Sequence, residues 1–201
     1  MRFIALFSAL MITLSGWLEA ATPMSRPKRL DQVAILKHLK PNPIPAELPE
    51  SSREVLQRFY VTEGFRVDLV AADPDVVQPI AFTFDAMGRL WVLEALSYPE
   101  KQPEGAGKDR LVILEDFDGD GIFEDRKVFF EGLNLASGFE LGYGGVWIGA
   151  APQLLFLPDR DGDDVPDGPP QVLLDGFGYQ DTHETLNNFT WGPDGWLYGL
   201  Q

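Results

Sequence analysis

Cysteine is absent from the 201 residues. No disulfide can brace the fold, and a C-x-x-C-H haem attachment is excluded within this chain. Histidine is almost absent, with two residues, His38 and His183. Basic side chains are scarce: 16 Lys and Arg stand against 31 Asp and Glu, a formal charge of −15. That balance argues against nucleic acid and anionic membrane surfaces as partners, and it favours cations. Long apolar runs are missing as well. The one run, Phe3 to Leu18, is shorter than the roughly 20 residues a membrane-spanning helix needs. No strong amphipathic helix follows residue 60, which turns attention to strands.

What is present begins with an address. Arg2, the apolar run and the small residues Ala20 and Ala21 have the pattern of a secretory signal over residues 1–20. The alternative is a buried N-terminal helix. Export implies a periplasmic or extracellular protein, with soluble and membrane-associated states both open. Residues 21–63 read as a linker, rich in proline, with a short helix around Asp31–Leu39. Ser51 with Glu54 three residues on forms a capping box, which predicts a second short helix ending near Phe59.

From Gly64 onward the period becomes two. "FRVDLVAA", "IAFTFD", "RLWVLEAL", "RLVILED", "KVFFEGL", "GVWIGAA", "QLLFLPD" and "PQVLLDG" read as strands separated by Gly, Pro or Asp turns. The strands recur. "FTFDAMGRLWV" is echoed by "FTWGPDGWLYG", and "LEDFDGDGIFED" by "LPDRDGDDVPDG", with Asp116 and Asp159 43 positions apart. Such a period with four strands per unit marks a β-propeller blade. The expected fold is therefore all-β, a propeller fragment over residues 64–201. The first blade has strands at Ile80–Asp85, Arg89–Ala95, Arg110–Glu115 and Lys127–Gly132. The second has them near Phe139 and at Gly145–Ala150, Gln153–Pro158 and Gln171–Asp175. A third blade starts at Asn188 and is cut in its second strand, so the sequence reads as the N-terminal part of a longer protein. "FRVDLVAA" is expected as an extra outer strand. A β-sandwich of irregular hairpins is the alternative.

The two acidic loops offer oxygen ligands at alternate positions. Asp116, Asp118 and Asp120 occupy positions 1, 3 and 5, with Gly121 at position 6 and Glu124 able to complete the set. Asp159, Asp161, Asp163 and Asp167 repeat the pattern. A hard cation such as Ca²⁺ needs such convergence, with an affinity of about 10⁻⁴–10⁻³ M for an extracellular module. Neither loop is an EF-hand, and Asp164 stands where the second would have its glycine. The alternative is an acidic turn that uses Asp and Gly for turn geometry.

His183 lies in "GFGYQDTHETLN", the connection into the third repeat. Antiparallel strands alternate their connections between two ends. His183 should therefore sit at the end opposite the acidic loops and near the innermost strands. With Asp181 two residues before it, the histidine is a candidate general base. The alternative is a polar loop residue bonded to backbone.

Taken together, "EGFRVDLVAADPDVVQPIAFTFDAMGRLWVLEA", the two D-x-D-G-D loops and "DTHETLNNFTWGPDGWLYG" resemble the membrane-bound dehydrogenase family of planctomycete-type bacteria. That family is similar to the soluble quinoprotein glucose dehydrogenases. The resemblance covers about residues 50–201. It implies a six-bladed propeller, pyrroloquinoline quinone and Ca²⁺ as cofactors, and oxidation of a sugar or alcohol hydroxyl. It implies His183 as the base and Asp181 as a cofactor neighbour. It also implies a cytochrome-like electron acceptor, with haem c only where a further C-terminal domain carries it. The competing expectation is a non-catalytic propeller, stiffened by Ca²⁺, that binds carbohydrate or protein.

Overall fold

The computed structural model describes residues 51–201 apart from Glu184. The signal segment, the helix around Asp31–Leu39 and the linker up to residue 50 lie outside the described residues. The described part opens with α1 (Ser52–Leu56). The Ser51 side chain accepts from the Glu54 N–H, and the Glu54 carboxylate accepts from the Ser51 N–H at 2.8 Å. The capping box is thus complete, although the helix closes after one turn, short of Phe59.

The regular structure that follows is antiparallel β. The first sheet contains β1 (Pro79–Phe84), β2 (Leu90–Glu94), β3 (Asp109–Glu115) and β4 (Asp125–Leu133), paired in sequence order. The second contains β5 (Ala136–Leu141), β6 (Gly145–Ala150), β7 (Gln153–Pro158) and β8 (Gln171–Asp175), in the same order. A third, two-stranded sheet pairs β9 (Asn187–Trp191) with β10 (Leu197–Leu200).

The alternation of side chains explains how the sheets pack. In β2, Trp91 and Leu93 point one way and join Leu111, Ile113 and Phe129 against Val146, Ile148, Leu155 and Leu157 of the second sheet. Residues Trp147 and Leu154, on the opposite face of the second sheet, pack with Leu186, Phe189 and Leu197. The middle strands are thus covered on both faces and read as continuous apolar runs. Each fully buried leucine there stabilises the fold by about 1.5–3 kcal/mol. The third sheet approaches closely because glycine faces it. A Cβ added at Gly149 would run into the Leu186 carbonyl oxygen and the Phe189 ring. One at Gly138 would lie 2.8 Å from the Asn187 Cα.

The outer face of the first sheet, made by Leu90, Val92, Val112 and Leu114, is covered by Ala71, Val76 and Phe123. Here the expected strand "FRVDLVAA" does not form: residues 65–72 are irregular. The segment crosses the sheet face instead of running along an edge. It is tied to the β3–β4 loop by the Phe123 N–H donating to the Val70 carbonyl (2.8 Å). Period-two alternation builds a strand only where a neighbouring edge offers a ladder. Glu94 clamps the stretch that follows. Its buried carboxylate accepts from Arg110 Nη2 (2.7 Å), Arg126 Nη2 (3.1 Å) and the Val77 N–H (2.9 Å).

The connections gather at two ends. At one, the β2–β3 loop meets the links into β5 and β9. Gln102 and Asn134 exchange hydrogen bonds there, and Lys101 Nζ donates to the Ala151 carbonyl (2.6 Å). At the other, the β1–β2 turn meets the β7–β8 loop through Arg89 and Asp164 (2.7 Å).

Candidate functional site

His183 reaches its place through a local turn. The Asp181 carboxylate accepts from the His183 N–H (3.1 Å) and faces His183 Nδ1 at 3.2 Å. An Asp that bonds the backbone two residues on closes an Asx-turn. The same oxygen then favours a proton on Nδ1 and leaves Nε2 to accept one. The His183 N–H, followed by its ring, holds the Asp181 carboxyl below the ordinary carboxylate range. Both side chains are largely exposed, so their attraction orients more than it stabilises. The ring of Tyr98, from the β2–β3 loop, meets the imidazole edge-on, with centroids 6.1 Å apart at 87°.

This pair of rings heads a cleft of about 760 Å³, within the size range of small-molecule sites. Its walls are β1, β5 and β9, the first strands of the three sheets. Thr83, Ser137, Thr185, Asn187 and Asn188 supply polar groups. Ser137 Oγ donates to the Leu186 carbonyl (2.9 Å), so it joins β5 to the link before β9. Glu140 of β5 is the one carboxylate among the described lining residues. Burial pushes its carboxyl above the ordinary range, only partly offset by the Leu141 N–H that it accepts from. Asp181 stands behind His183 and is not among the lining residues.

The acidic loops occupy the other end, as the alternation of connections predicts. Oxygen atoms of Asp116, Asp118 and Asp120 come within 4.8 Å of one another, and so do those of Asp159, Asp161 and Asp163. Much of this convergence is turn chemistry. Asp116 accepts from the Gly119, Asp120 and Gly121 N–H groups, and Asp120 from Ile122. Glu124 and Asp167 stand outside both triads. Asp167 pairs with Arg160 Nη1 at 3.0 Å. Burial, and then the charges of Asp163 and Asp161, raise the Asp159 carboxyl against the Gly162 N–H that lowers it.

Asp164 takes the left-handed backbone (φ 61°) that glycine would normally supply. Its side chain explains the exchange: it pairs with Arg89 at 2.7 Å and with Lys127 at 3.5 Å. Sequence reasoning missed this tie, and it missed Tyr98 and Glu140 too. Tyr98 lies 85 positions from His183, and Glu140 carries no motif. A lone charge in an otherwise apolar inner strand was the one available signal.

Fold and site together define an all-β protein with a ligand-sized cleft between sheets, headed by a His–Asp couple. The chain belongs to the family described as a domain of unknown function (DUF7133), which matches residues 51–201. No curated protein and no solved structure matches it.

Proposed function

We propose that the sheets are successive β-propeller blades and that the chain is part of an exported oxidoreductase acting on a sugar or alcohol hydroxyl. Two four-stranded sheets in sequence order, a 43-residue repeat and a cleft walled by all three first strands support the propeller. The observation that carries the activity is His183 at the head of the cleft with Asp181 on its Nδ1. In this role Nε2 takes the proton of a bound hydroxyl, the Asp181 carboxylate stabilises the imidazolium that results, and a two-electron acceptor supplied from outside the described cleft takes the hydride of the carbon. Tyr98 offers a ring surface beside His183 at the head of the same cleft. The two acidic triads would hold Ca²⁺ as braces far from this chemistry.

The described cleft does not fit pyrroloquinoline quinone. A tricarboxylate needs cationic partners, and no Lys or Arg is among the described lining residues. Lys101, at the same end, is engaged by the Ala151 carbonyl and lies over the Tyr179 ring at 5.0 Å. No step is therefore routed through the quinone. The same lack of cations favours a second reading, a non-catalytic propeller that binds carbohydrate.

The test uses the full-length protein, supplied with Ca²⁺ and assayed for dye reduction, with and without added quinone, over a panel of sugars and alcohols. Turnover that collapses in His183→Ala is the expected result. Sugar binding without turnover supports the binding module instead. Turnover unchanged in His183→Ala removes His183 from the mechanism.

A further inference from the structure

We propose, resting on the reading of the cleft as a ligand site, that Glu140 sets its specificity. The cleft accepts neutral and cationic hydroxyl-bearing ligands, amino sugars above all, and rejects sugar acids and sugar phosphates. Three observations carry this. Glu140 lines the same cleft as His183. Among the described residues, its carboxylate accepts one hydrogen bond, from the N–H of its own neighbour Leu141 (3.1 Å), and forms no ion pair. The remaining polar lining is uncharged hydroxyl and amide, with no Lys or Arg among the described lining residues.

A half-buried carboxylate with unfilled acceptor capacity attracts N–H and O–H donors from a ligand. An ammonium is the strongest of these, because its bond is charge-assisted. An anionic ligand meets the opposite sign. It enters a partly dry cleft whose described lining holds a fixed negative charge and no Lys or Arg to offset either one. The protein's formal charge of −15 adds a weaker, salt-screened repulsion before contact.

The experiment is an NMR titration of the full-length protein with D-glucosamine, D-glucose and D-glucuronate near neutral pH. Glucosamine should bind roughly tenfold more tightly than glucose, and glucuronate at least about tenfold more weakly. Glu140→Gln keeps the side-chain shape and removes the charge, so the three affinities should converge to within about threefold. The melting temperature of the variant confirms that it is folded. The proposal is overturned if glucuronate binds as well as glucose, if the spread survives in Glu140→Gln, or if none of the three binds. A protein that shows this preference but no dye reduction keeps the specificity assignment and loses the oxidoreductase one.

Discussion

Glu94→Gln should be the most damaging isosteric change in the fold. Glu94 is fully buried, and its Oε2 lies 2.7 Å from Arg110 Nη2, 2.8 Å from Arg110 Nε and 3.1 Å from Arg126 Nη2. Arg126 in turn donates to the Asp75 carbonyl (2.9 Å), and Val77 N–H donates to Glu94 Oε1 (2.9 Å). One carboxylate thus joins β2, β3, β4 and the segment that leads into β1. Neutralising it leaves two guanidinium groups facing each other with about three-quarters of their surface covered. Breaking a buried pair costs about 3–5 kcal/mol. The arginines keep some water, so the lower end applies, about 3 kcal/mol. For a domain of this size that is a fall of about 6–12 °C in Tm. Circular dichroism melting of the full-length protein measures it, with chemical unfolding as a check. Replacing Glu94, Arg110 and Arg126 together by leucine or methionine should recover most of the loss, because no charge is then stranded. A Gln variant within about 0.5 kcal/mol of wild type would refute the clamp. A triple variant as unstable as the single one would refute it equally.

Four further outcomes are expected. Burial alone would raise the Asp85 carboxyl, but hydrogen bonds from Trp91, Arg89 and Met87 outweigh it and hold it below its ordinary value. The stability it contributes is therefore complete above the ordinary Asp pKa of about 3.9 and is lost as pH falls through the lower folded value. Acid titration of Asp85→Asn should show a shallower loss below about pH 4. A double-mutant cycle on Arg89 and Asp164, read by urea unfolding, should give a coupling of about 1–3 kcal/mol, and a value near zero would show that the tie is incidental. Gly149→Ala should cost about 1–3 kcal/mol by overpacking against Leu186 and Phe189, measured by the same unfolding curve. Ca²⁺ at tenfold its dissociation constant should stabilise the protein by about 1.4 kcal/mol, an effect that Asp116→Asn with Asp120→Asn should diminish.

The strands were legible because their faces are. Gly145–Ala150, Gln153–Pro158 and Gln171–Asp175 fall where turn residues bound apolar runs. A strand covered on both faces, or packed on one, writes its period into the chain. Residues 65–72 alternate equally well and form no strand, because alternation reports a side-chain pattern and not the presence of an edge to pair with. His183 was singled out by its rarity and its Asp181 neighbour, its proposed role came from the family resemblance, and its end of the molecule followed from strand parity. Glu140 and Tyr98 were not, since what makes them notable is position. The first is a carboxylate on a strand that becomes a cleft wall. The second comes from a different loop and meets His183 only after two sheets have packed. Asp164 was read as a flawed copy of a glycine. In the structure the side chain that weakens the turn is the one that holds Arg89.

The three walls of the cleft belong to three different sheets, and the second sheet meets the first through one apolar layer and the third through another. Cleft width is therefore an angle between sheets and not a property of any one wall. Trimming Ile148 or Leu157, which belong to the layer between the first two sheets and do not line the cleft, is expected to change the angle between those sheets. A rotation there would move the walls formed by β1, β5 and β9, as the tips of a pair of tongs move. Substitutions in the layers between sheets should then alter ligand selectivity while His183, Tyr98 and Glu140 stay unchanged in sequence.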